Sequence, residues 1–181
     1  SITLGANFCG FILNYPKSHR YIQFEKAKEL TDIEKKNSKY VAVLVEPKND
    51  ELEKFSKLNI DYFQIYGKYN SETIFNIKSK FNKKIIVAIQ VKNEKDVLNY
   101  KEFENVADII LWDSSGLEHS LEWNYNWIKS VPKNITKMIA KTDVTIYPKL
   151  KSINVSFNRG LKLVCLILSI VHKLCQLEIS I

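Results

Sequence analysis

Seven short, almost wholly apolar runs recur along this chain with helix-patterned segments between them, and this alternation restricts the fold more than any other feature. The runs are Phe8 to Leu13, Val41 to Val45, Tyr62 to Ile65, Ile85 to Ile89, Ile109 to Trp112, Lys137 to Ala140 and Ser152 to Ser156. Near-continuous apolar character, rich in β-branched and aromatic residues, marks a strand buried on both faces, as in a parallel sheet covered by helices. The intervening segments have the longer period. From Phe24, the residues Ala27, Leu30 and Ile33 share a face while Glu25, Lys28, Glu29 and Glu34 point outward. Asn49 through Leu58 opens with capping residues and acids and closes with lysine, which suits the helix dipole at both ends. Ser71-Glu72-Thr73 opens another helix with Ile74 and Ile77 inward, and Asn93-Glu94 the next, with Val97 inward and Tyr100 near its end. Such alternation predicts right-handed βαβ units and an α/β fold.

The 181 residues fit one domain, 1–181, and 45% apolar content supplies a core. No linker or low-complexity tract interrupts it. A complete eight-unit barrel usually takes roughly 200 residues or more, so the chain is slightly short for one. Ser1 to Gly5 reads as the tail of a helix, and the only methionine is Met138, so an eighth strand is expected before Ser1 and the chain reads as a fragment.

The formal net charge of +7 raises the question of nucleic acid. The basic residues are spread along solvated helix faces among 20 acidic ones, with no Lys/Arg block, zinc-finger pattern or RNP motif. A basic barrel mouth that attracts a small anionic substrate fits better. Cys9, Cys165 and Cys175 are odd in number, with no C-x-x-C and no signal peptide, which points to a reducing cytoplasm. The run from Leu163 to Val171 is far below the ~20 residues needed to span a bilayer, so no membrane partner is expected.

Two residues stand out chemically. Arg20, in G-F-I-L-N-Y-P-K-S-H-R-Y-I, is one of two arginines among 27 basic residues. A guanidinium fork fits carboxylate or phosphate bidentately, so the choice suggests a geometric need; a plain loop cation is the alternative. Asp113 closes A-D-I-I-L-W-D-S-S-G at the end of a buried strand. Desolvation there raises a carboxyl pKa toward the range of a general acid, while the alternative is a turn cap on Ser115 or Gly116 amides.

The loop G-F-x-x-x-Y-P-K-S-x-R-Y-I resembles the second strand and following loop of the phosphoribosylanthranilate isomerase family of tryptophan biosynthesis, which has a (β/α)8 barrel. I-I-L-W-D-S-S-G is similar to the family's I-L-L-D strand end, D-Y-F-Q-I-Y-G at 61–67 to its D-x-x-Q-L-H-G, and V-A-V-L-V-E-P to its third strand. The resemblance implies a (β/α)8 barrel incomplete at its amino end, with about seven parallel strands present. It implies that Asp113 is the general acid, that Arg20 binds the anthranilate carboxylate, and that Gln64 and Ser156 lie near the substrate; for Gln64 the alternative is a polar residue that fills the barrel layer. It implies no cofactor and no metal, a small phosphosugar substrate, and a monomer or homodimer.

The chain also departs from that pattern. Tyr66 stands where histidine is usual. The family's general base is a cysteine in a first-strand K-I-C-G motif that is absent here, and Cys9, inside the second strand, reads as a small buried hydrophobe. Lys141-Thr142 replaces expected glycine, and N-V-S-F-N at 154–158 matches the eighth-strand D-V-S-S-G at Ser156 but not at Asn154 or Phe157. The helical stripe from Leu163 to Leu174 has almost no polar face. Residues 141–181 are therefore read as divergent or frame-altered. The rival functions are another phosphate-binding barrel enzyme, such as indole-glycerol-phosphate synthase, and an inactive barrel remnant or interaction protein.

Overall fold

The computed structural model describes residues 6–114, 122–140 and 161–163. Seven strands form one sheet in chain order, β1 (Phe8–Ile12), β2 (Lys39–Val45), β3 (Tyr62–Tyr66), β4 (Lys84–Val91), β5 (Ile109–Ser114), β6 (Lys137–Ile139) and β7 (Leu161–Leu163), every neighbour parallel. Between them lie α1 (Phe24–Thr31), α2 (Asn49–Ser56), α3 (Ser71–Phe81) and α4 (Glu94–Val97), the last running on as a 3-10 turn over Leu98–Glu102. A second 3-10 segment, Tyr125–Ser130, precedes β6. This is the winding of a (β/α)8 barrel. The seventh expected strand, Ser152 to Ser156, lies outside the described residues, and β6 is paired by Leu161–Leu163 instead.

Register sorts each strand into two faces. Phe8, Val41 and Tyr62 share the inner one, where the Phe8 and Tyr62 rings meet edge to face at 5.5 Å. On β5 the inner set is Ile109, Leu111 and Asp113, opposite Ile86, Ala88 and Gln90 of β4. The outer set meets the helices: Phe63 packs on Phe81 of α3, and the Trp112 indole donates to the Val97 carbonyl of α4 at 3.1 Å. Trp112 is fully buried, so its indole nitrogen needs that partner. Burying a large apolar side chain is worth about 1.5–3 kcal/mol, which makes this double-faced layer the main source of stability.

The helices follow the sequence pattern with one difference. Ile74 and Ile77 of α3, and Val97 and Tyr100 beyond it, are buried as the period predicts. The Asn70 side chain caps α3 by accepting the Thr73 N–H at 2.9 Å, and Asn82 closes it in the left-handed region that asparagine tolerates. Ile33, expected on the inner face of α1, is 54% exposed, because α1 ends at Thr31 and the chain turns away at Asp32.

One device recurs at the amino ends of the strands. Asp61, just before β3, accepts the N–H of Tyr40 at 2.8 Å and the ammonium of Lys35 at 2.9 Å. Asp108, just before β5, accepts the N–H of Ile85 at 2.8 Å and pairs with Lys78 at 2.9 Å. Each aspartate thus stitches the start of its own strand to the second residue of the strand before it, with a lysine from the preceding helical connection.

Candidate active site

At the opposite, carboxyl ends of the strands, β1 leads into the loop that carries Arg20. Asn14 anchors the exit: its side-chain amide donates to the Val45 carbonyl at 2.9 Å while its oxygen accepts the Val45 N–H at 2.8 Å. That reciprocal pair ties the end of β1 to the end of β2. Ser18 is buried, and its hydroxyl oxygen accepts the Arg20 N–H at 3.2 Å. The Ile22 N–H then returns to the Ile12 carbonyl at 3.0 Å, with Ile12 and Tyr21 in a parallel bridge. The chain leaves the strand end and comes back to it, so Arg20 is held half-buried at the rim.

Asp113 occupies the last inward position of β5. Its Oδ2 accepts the Tyr66 hydroxyl at 2.7 Å, and its Oδ1 accepts the Ser114 N–H at 2.7 Å. Burial raises its pKa above the usual carboxylate value; the donors on Tyr66 and Ser114 pull the other way, as does the charge of Arg20. Arg20 also acts on Tyr66, whose pKa burial and the Asp113 carboxyl drive well above that of a free phenol. Arg20 and Asp113, 93 positions apart (113 − 20), thus meet at one end of the sheet.

Gln64 sits one inward position below Tyr66 on β3, buried, with its Nε2 donating to the Tyr66 hydroxyl at 3.1 Å. Ser156 lies outside the described residues, as do Lys141 and Phe157. Cys9 is buried on the helix-facing side of β1, away from this mouth. The turn after β3 requires glycine: Gly67 has φ +139°, and a Cβ there would come within 2.7 Å of Glu46 and 2.8 Å of the Tyr69 ring.

Two members of the site are not evident from local sequence pattern, Asn14 and Tyr66. Tyr66 carries a signal in its departure from the usual histidine, whereas Asn14 carries none beyond a polar residue ending an apolar run. Chemically, the mouth offers a carboxyl group inclined to keep its proton beside a permanent cation. That suits proton donation to a bound anion. A cavity of about 470 Å³ at the other end of the barrel is lined by Lys39, Lys78, Lys83, Lys84, Asp61 and Asp108. Both of its aspartates belong to the stitches described above, and the Lys83 ammonium is bonded to the Ile60 carbonyl at 2.8 Å. No group of three or more metal-ligating side chains occurs among the described residues. No helix among them is long and apolar enough to cross a membrane.

Residues 2–155 match the family described as N-(5'phosphoribosyl)anthranilate (PRA) isomerase. The N-(5'-phosphoribosyl)anthranilate isomerase of Rhizobium etli (strain CIAT 652) is 32% identical over 111 residues, 61% of this chain and 50% of the relative. That of Sinorhizobium medicae (strain WSM419) is 36% identical over 78 residues, 42% of this chain and 36% of the relative. The chain thus spans half or less of the length of these relatives. Among solved structures, the phosphoribosyl anthranilate isomerase of Thermus thermophilus superposes with a TM-score of 0.65 at 20% identity, covering 76% of this chain and 67% of that one. At that identity the likeness establishes the barrel fold.

Proposed function

The chain belongs to the N-(5'-phosphoribosyl)anthranilate isomerase family, and from that premise we propose that it catalyses the family reaction, the Amadori rearrangement of N-(5-phosphoribosyl)anthranilate in tryptophan biosynthesis. In this reading Asp113 is the general acid. Its proton passes to the furanose ring oxygen, the bond from that oxygen to the anomeric carbon breaks, and the aniline nitrogen lone pair closes a Schiff base. A base then removes the proton from the adjacent carbon, and the resulting enolamine tautomerises to the ketone. The cysteine that serves as base in the family belongs to the K-I-C-G motif, which does not occur in this sequence.

Arg20 binds the anthranilate carboxylate through its guanidinium fork. Gln64 and Ser156 complete the substrate contacts, the first acting from beneath the mouth. The ligand is a small anionic phosphosugar, and neither nucleic acid nor a membrane is a partner. The protein works in the cytoplasm as a monomer or homodimer. Solved neighbours include an isomerase in complex with reduced 1-(o-carboxyphenylamino)-1-deoxyribulose 5-phosphate, at 22% identity and a TM-score of 0.56. Residues 1–181 are read as a single domain, with 141–181 divergent or frame-altered, although the family match extends to residue 155.

The observation that carries the reading is a desolvated carboxyl at one strand end, its pKa raised by burial, within the field of an arginine at another. The test is rescue of a tryptophan auxotroph lacking the isomerase, by this chain as it stands and by the same chain joined to a family first strand bearing K-I-C-G. Growth with the extended chain supports the enzyme. Failure of a folded extended chain to turn over phosphoribosylanthranilate overturns it in favour of an inactive barrel.

A further inference from the structure

A chain of three polar side chains runs up the inside of the barrel and ends on Asp113. Gln64 and Tyr66 are two residues apart on β3, so both project inward in successive layers. The Gln64 amide donates to the Tyr66 oxygen at 3.1 Å, which leaves the single phenolic proton to be donated onward. It goes to Oδ2 of Asp113 at 2.7 Å, a good length for an O–H···O bond. The other carboxyl oxygen is held by the Ser114 N–H. With both oxygens engaged, the carboxyl plane cannot turn without breaking a bond.

We propose that Tyr66 is a positioning residue for Asp113: its hydroxyl, oriented by Gln64, fixes the rotation of the carboxyl group and sets how tightly that group keeps its proton. This rests on the reading of Asp113 as the acid. Around Asp113, β4 presents Gln90 directly alongside, β6 presents the apolar Met138 one layer below, β3 presents Tyr66, and the loop after β1 presents Arg20. Among the described residues the ionisable groups that act on it are therefore Tyr66 and Arg20. Burial pushes the carboxyl pKa up, and the Tyr66 hydrogen bond is the largest influence in the other direction, ahead of Ser114 and Arg20.

A phenol at this position differs from histidine in one respect. Imidazole changes charge near neutrality, whereas burial and the neighbouring carboxyl keep the Tyr66 proton in place throughout the physiological range. The donor to Oδ2 is then constant, and the acid titrates alone.

The test is a carbon-13 NMR titration of the Asp113 carboxyl in the 181-residue chain, assigned by its loss in Asp113→Asn. Tyr66→Phe, which removes one oxygen and keeps the ring, is expected to move the midpoint upward, because the carboxylate loses its best donor. Gln64→Met, a second variant of similar volume, is expected to move it the same way by less. Tyr66→His is expected to return the midpoint toward the parent and to add a second titration. In an active extended chain, Tyr66→Phe should lower kcat about tenfold with KM unchanged, the loss of one hydrogen bond to a charged group. An unmoved Asp113 midpoint in folded Tyr66→Phe and Gln64→Met overturns the proposal and makes both side chains fillers of the barrel layer. A moved midpoint with full turnover in Asp113→Asn instead leaves the Tyr66 coupling standing and removes Asp113 from the chemistry.

Discussion

The two ends of the barrel use the same residue in opposite ways. At the amino ends of the strands, Asp61 and Asp108 each accept a strand N–H and a lysine ammonium, so their charge is matched where it stands. At the carboxyl ends, Asp113 is largely desolvated and bonded to the neutral donors of Tyr66 and Ser114, with the charge of Arg20 acting on it. A carboxylate that bonds backbone and cation is a fastener. One that is desolvated and bonded to neutral donors costs more to ionise, which shifts its pKa upward. Barrels of this type keep stability at the bottom and chemistry at the top, and the three aspartates differ in the way that division predicts.

The contrast can be broken most decisively at Asp113. In the extended chain, Asp113→Asn keeps size and hydrogen bonding but removes the transferable proton, so turnover should fall ~10²–10⁴-fold while substrate affinity barely changes. Steady-state kinetics on phosphoribosylanthranilate decide it, and unchanged kcat makes Asp113 a turn cap. The next largest effect belongs to Arg20→Lys, where a point charge replaces the fork. KM should rise about tenfold with a smaller change in kcat, an asymmetry that an exposed loop cation would not produce.

At the bottom the same measurements should show nothing, and unfolding should show a great deal. Asp61→Ala and Asp108→Ala each strand a strand N–H, at a cost of about 1–3 kcal/mol in urea denaturation. Little of that comes from the lysines, which are exposed enough for solvent to screen them. The smallest effect is the most discriminating, because its sign reverses between the ends. A carboxyl whose folded pKa is raised contributes stability that is present at low pH and is lost as pH rises through the folded value. Asp113→Asn should therefore be more stable than the parent at neutral pH, and the gain should vanish on acidification. A loss of stability at neutral pH would place Asp113 with Asp61 and Asp108 as a fastener.

The barrel was legible in sequence because its signals are local. Strand runs such as Val41 to Val45 and helix faces such as Ile74 and Ile77 follow from periods of two and 3.6 residues, and the elements from β1 to β6 fall where those periods put them. By contrast, β7 at Leu161–Leu163 includes Leu163, which the sequence pattern assigns to a helical stripe. Ile33 misled because periodicity does not say where a helix stops, and α1 stops at Thr31. Arg20 and Asp113 were legible as unusual residues at strand ends. Their common end followed from parallel topology, which places every strand terminus of one kind together. The Gln64–Tyr66–Asp113 chain was not legible. It links β3 to β5 past the intervening β4, and no local pattern records which inward side chains touch across a curved wall. The Asn14 clamp on Val45 is hidden for the same reason.

Strand order that equals chain order also has a consequence in time. Each strand from β2 to β7 lies beside the one made just before it. During synthesis, a newly emerged strand therefore finds its neighbour already outside the ribosome and does not wait for sequence still to be translated. Each pairing spans a single crossover, as from Phe8 to Lys39 or from Val41 to Tyr62, so no closure has to reach further along the chain than one βαβ unit. The wall can be laid course by course, with little time for two nascent chains to find each other's uncovered strands.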